Sequence, residues 1–150
     1  LGLVAACDLA VAAEGTMLGA TAPKVGLFCM GPAVPLIGTT TRKRVLELLL
    51  TGDLIDAATA QEWGLLNRVT PADDHVAEAM DIAETIASKS PTGIQRGKEA
   101  FYEMVEMQYD EALAYSNGEF AGLCTTADAA EGIAAFLDGD PLETDEWPGE

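Results

Sequence analysis

The chain has 150 residues, 49% of them hydrophobic, with 25 acidic against 8 basic side chains and a formal net charge of −17. That length and apolar content predict one domain around one packed core and exclude a disordered chain. Such a charge repels nucleic acid and anionic lipid, so neither is an expected partner.

Residues 1–8 read as a short helix, and 8–13 as a strand of small and β-branched residues. Gly15 marks a turn before a second extended piece at 17–21. The segment 22–36 carries Pro23, Gly26, Gly31, Pro32 and Pro35. It has too many breakers for a long regular element, so it is expected as an apolar loop, either lining a pocket or crossing the core. A helix over 42–50, apolar at Val45, Leu46, Leu48, Leu49 and Leu50, stops at Gly52. Asp56 can N-cap a helix running to Trp63, with Gly64 at its exit. Residues 65–69 predict a strand. Thr70-Pro71 opens a helix with Val76, Ala79, Met80, Ala83, Ile86 and Ala87 on one face. Ser90-Pro91 starts another through Phe101 and Val105, and helices follow over 110–123 and 128–137.

The organisation is thus a β/α piece over 1–41, a helical region over 42–137 and an acidic tail over 138–150, expected to lie loose on the surface. About two strands cannot bury both faces of a sheet, so the chain is expected to complete a larger domain. Its longest apolar runs fall short of the ~20 residues a bilayer requires, and no basic n-region or cleavage signal precedes them. A soluble, cytoplasmic protein is expected. Cys7, Cys29 and Cys124 are widely spaced without a CxxC pair, and the single histidine, His75, stands beside Asp73 and Asp74. No metal site or Cys/His nucleophile is expected, only reduced, buried thiols. The acid excess runs along the whole chain. It fits either a highly soluble acidic protein or adaptation to a high-salt interior, where counterions screen self-repulsion.

Three stretches carry a family resemblance. Residues 7–28, CDLAVAAEGTMLGATAPKVGLF, resemble the crotonase segment that runs from a Cys-Asp pair through a strand to a glycine turn. Residues 42–69 are similar to the same family's pattern at Thr51-Gly52, Ile55, Ala57, Ala60, Gly64-Leu65 and Val69. Asp128, Glu131-Gly132 and Phe136 match its Asp-x-x-Glu-Gly-x-x-Ala-Phe ending. On these motifs the chain is identified as a member of the crotonase (enoyl-CoA hydratase/isomerase) superfamily, corresponding to its C-terminal half. It is most similar to the enoyl-CoA hydratase domain-containing subgroup. The resemblance implies an α/β fold of the ClpP/crotonase type, a spiral of ββα turns, present in part and followed by a helical trimerisation region. It also implies acyl-CoA thioesters of fatty acid metabolism as substrates, lyase or isomerase chemistry, and a homo-oligomer, trimer or hexamer. No cofactor beyond coenzyme A as part of the substrate is implied.

Crotonase chemistry uses two backbone N–H groups as an oxyanion hole. The resemblance places one in the half of the fold that precedes this chain and the other just before Leu1. Hydration further needs two carboxylic acids to move protons to and from water and the α-carbon. By the same alignment those positions are Gly2, six residues before Asp8, and Ala22, four before Gly26. Neither side chain can transfer a proton, so no catalytic residue is expected among them. Lys24 is the wrong acid–base type, and Glu14 falls in the turn after the strand.

The resemblance lines an acyl pocket with Thr21, Ala22, Val25, Phe28 and Gly31, although core packing is an equal reading of Val25 and Phe28. It puts Phe120 and Phe136 at the CoA-binding aromatic positions, with Gly139 where the family carries a lysine. Arg96 and Lys98 are alternative cations, or members of a solvated helix face. Leu46, Leu49, Leu50, Phe101, Tyr115 and Phe120 are more apolar surface than the chain can bury alone, which points to an oligomer interface. Three functions remain open: a hydratase with acids from elsewhere, a related enzyme of isomerising or thioester-hydrolysing chemistry, and a catalytically silent acyl-CoA-binding or assembly subunit.

Overall fold

Helix α1, Gly2–Ala6, begins at Leu1 without a side-chain cap and ends as Cys7 turns extended. Strands β1, Val11–Ala13, and β2, Met17–Gly19, follow, joined through Gly15 at φ +82°. These come from a computed structural model that describes residues 1–140, 142, 143 and 146–149. The chain forms two units, Leu1–Asp81 and Ile82–Glu150.

Residues 22–36 depart from the expected loop. Ala22–Val25 is a 3-10 helix closed by Gly26 at φ +77°, and Met30–Thr39 is an α-helix, α2. Pro32 lies in its first turn, where the missing N–H has no intrahelical partner to lose. Pro35 does interrupt the ladder. Helix α2 persists because Leu36 is fully buried, and the Thr39 hydroxyl donates to the Pro35 carbonyl at 2.8 Å in its last turn. Helix α3, Arg42–Thr51, ends as expected at Gly52 in the left-handed region, φ +69°. Strand β3, Leu54–Asp56, which the pattern did not announce, leads into α4, Ala57–Glu62. Asp56 caps α4, accepting the Thr59 N–H at 2.8 Å.

Strand β4 is Arg68–Thr70, later than the expected 65–69. Leu65 and Leu66 are buried in the turn before it. β1 pairs with β4 in parallel, Ala12 opposite Val69, and β2 pairs with β3 antiparallel, Leu18 opposite Ile55. The core of this unit gathers Leu18, Leu36, Val45, Leu48, Leu49 and Leu65.

Helix α5 is His75–Ala87, beginning four residues after the proline expected to open it, because Thr70 is drawn into β4. In the second unit α6, Pro91–Val105, starts at Ser90, whose hydroxyl accepts the Gly93 N–H at 2.8 Å. It packs on α7, Tyr109–Leu123, and α8, Ala127–Asp138. The buried residues described here are Ala100 and Asp128, while Phe101, Tyr109, Phe120, Phe136 and Leu137 are exposed. No single described helix is long and apolar enough to cross a membrane.

The tail also corrects the sequence reading. Trp147 and Gly149 are hydrogen-bonded back to Ser88 and Asp128 rather than loose. Pro141, Thr144, Asp145 and Glu150 of the expected tail lie outside the described residues. The three cysteines are free, but Cys7 and Cys124 are exposed and Cys29 half-buried, because each sits at a helix end rather than on a core face.

Candidate functional site

The two positions that the resemblance assigns to the hydration acids, Gly2 and Ala22, lie in the first unit. Gly2 is in the first turn of α1, and a Cβ built on it would meet Cα, Cβ and Cγ of Pro32 at 3.2 Å. Ala22 opens the 3-10 helix, and its carbonyl accepts the N–H of Gly26 and, at 3.1 Å, that of Leu27. Neither position offers a titratable group. Lys24, two residues on, pairs with Asp53 at 3.5 Å. Glu14 is exposed beyond β1 and lines a cavity of about 200 Å³ with Asp56, Ala57 and Val69, apart from the expected acyl-pocket residues. The Asp56 carboxyl is held below its ordinary range by Thr59, through the side-chain hydrogen bond first and the backbone one second.

The expected acyl-pocket residues fall on one continuous stretch. Thr21 caps the 3-10 helix, Ala22 and Val25 belong to it, Phe28 follows, and Gly31 is in the first turn of α2. Val25 is 74% and Phe28 39% exposed, so neither is a core residue of this chain. Leu27, Met30, Val34 and Ile37 are exposed beside them in sequence, an apolar surface left uncovered by the described residues.

Phe120, on α7, and Phe136, on α8, belong to the second unit and are 68% and 75% exposed. Phe136 lines a cavity of about 360 Å³ with Leu123, Ile133, Leu137 and Trp147. Gly139 is the left-handed C-cap of α8 at φ +78°, its N–H directed at the Ala135 and Phe136 carbonyls, a conformation that favours glycine. Arg96 is occupied as well. It donates to Glu119 at 3.2 Å and lies over Gly122. Burial, followed by the charges of Glu119, Glu103 and Glu99, pushes the Tyr115 hydroxyl up. Among the described residues no group of three or more His, Cys, Asp or Glu side chains is placed to hold a metal.

Sequence reasoning missed two features of this region. Asp128 entered only as a motif match, yet it is 2% exposed and holds Ser90 and Gly149. Trp147 was part of a tail, and its signal was an indole and a glycine flanking Pro148 in a run otherwise rich in acids.

The family model for enoyl-CoA hydratase/isomerase matches residues 1–144. The mitochondrial enoyl-CoA hydratase domain-containing protein 3 of Rattus norvegicus is 38% identical over 135 residues, 90% of this chain and 45% of that protein. The crystal structure of an enoyl-CoA hydratase of Mycobacterium smegmatis superposes with a TM-score of 0.92 at 33% identity, over 96% of this chain and 56% of that one. That of human enoyl-CoA hydratase domain-containing protein 3 gives 0.89 at 36%, over 94% and 56%. The chain therefore spans about half the length of the relatives it matches.

Proposed function

This chain belongs to the enoyl-CoA hydratase/isomerase family, with the crotonase fold in part, and on that premise we propose that it binds acyl-CoA thioesters without supplying the acids that hydration needs. The observation that carries this reading is the pair Gly2 and Ala22. The first is packed against Pro32, and the second is a methyl group on a 3-10 turn. The exposed apolar run from Val25 through Ile37 offers an acyl chain a wall, and the exposed rings of Phe120 and Phe136 offer flat faces to an adenine.

The apolar residues left uncovered in both units support a homo-oligomer, a trimer by analogy with the fold. The charge of −17 supports a working place in concentrated salt, in a cytoplasm rather than at an anionic membrane.

The test is to titrate the chain with crotonyl-CoA while following hydration in the same sample. Saturable binding without turnover is expected, because loss of an acid–base group typically costs on the order of 10²–10⁴-fold. Turnover at ordinary enzyme rates, on the order of 10 s⁻¹, that is abolished by substitutions at Val25 or Phe28 would overturn the proposal.

A further inference from the structure

We propose that residues 146–149 form a releasable strap on the second unit, clasped by the buried Asp128 and closing one wall of the apolar cavity beside Phe136.

Asp128 stands in the first turn of α8 and is 2% exposed. A carboxylate so placed is costly unless its oxygens are satisfied. One oxygen accepts the Ser90 hydroxyl at 2.5 Å, and the other accepts the Gly149 N–H at 2.6 Å. The Ser90 oxygen also caps α6, so one side chain ties the start of that helix to the clasp.

Trp147 provides the second fastening. Its indole N–H donates to the Ser88 carbonyl at 3.0 Å. Its ring lies so close over Gly132 that a Cβ there would meet it at 2.8 and 2.9 Å. Gly149 at φ +79° is in the left-handed region, which lets the chain turn its N–H onto Asp128. At the start of the strap the Glu146 carboxylate accepts the Glu143 N–H at 2.6 Å.

The strap is releasable because, among its described residues, a single side chain is covered. Glu146, Pro148 and Gly149 are exposed, and only Trp147 is half-buried. Lifting Trp147 removes one wall of the cavity of about 360 Å³ and leaves Leu123, Ile133 and Phe136 open to an uncharged apolar group.

The test uses the full chain with Trp63→Phe, which leaves Trp147 as its one tryptophan. Acrylamide quenching then reports the strap, and Nile red, an uncharged dye that the acidic surface does not repel, reports the cavity. Gly149→Pro removes the N–H given to Asp128, and Gly132→Ala fills the seat of the ring while favouring the helix. Each is expected to raise the open population on the order of 10-fold, seen as a red-shifted, more quenched Trp147 and stronger Nile red binding, with far-UV helical signal unchanged. A Trp147 as exposed in the parent as in the variants would overturn the strap. A Trp147 that stays shielded in both variants would overturn the assignment of its clasp.

Discussion

Gly2 of α1 and Pro32 of α2 are packed so closely that a single carbon added to Gly2 would sit 3.2 Å from three atoms of the proline. The absence of a side chain at Gly2 is therefore part of the helix contact. Introducing Gly2→Glu, alone or with Ala22→Glu, is expected to lower stability by about 1–3 kcal/mol through overpacking and to leave crotonyl-CoA unhydrated. Denaturant melts and a hydration assay on the same variants check both halves. A stable, hydrating double variant would show that the position is open to an acid.

Leu36 is the sharper core test because it holds a proline-bearing helix in place. Leu36→Ala is expected to cost about 2–5 kcal/mol, the range for a fully buried leucine. Leu46→Ala, at an exposed position of α3, is expected to stay within about 0.5 kcal/mol. Urea midpoints for the two variants should separate widely.

Gly139 closes α8 in the left-handed region, so Gly139→Lys places a cation there only against backbone strain. A loss of roughly 1–2 kcal/mol is expected, measured by thermal melting. Gly139→Asn should be milder, because asparagine visits that region more readily.

The net charge predicts a salt response. The melting temperature should rise steeply with KCl from dilute to molar concentrations as counterions screen the acid excess. The described ion pairs, Lys24–Asp53 and Arg44–Glu62 among them, are at the surface and lose little in exchange. A flat or falling melting temperature would leave solubility as the reason for the acids.

Asp56 gives a pH test with a defined sign. Its folded pKa is depressed by Thr59, so its cap stabilises the fold above the ordinary carboxylate range and is lost as pH falls through the depressed value. An NMR titration should show the Thr59 amide shifting at a lower pH than a free aspartate would give. Asp56→Asn should abolish that step while keeping most of the cap.

Much of the chain was legible from signals that act within a single turn. Asp56 before α4, Ser90-Pro91 before α6, and Gly52 after α3 placed those ends because a cap is decided by the nearest three or four backbone groups. The family resemblance, which assigns Gly2 and Ala22 to the acid positions, likewise rests on residue identity and spacing alone. The tertiary structure alone decided the rest. Pro32 and Pro35 argue locally against α2, and the burial of Leu36 outweighs them. Leu65 and Leu66 are buried as a strand pattern would require, yet pairing with β1 sets β4 three residues later. Trp147 reaches Ser88 across 59 residues of sequence. Such contacts depend on which surfaces meet once the helices are formed, and no local pattern encodes a partner that distant in the chain.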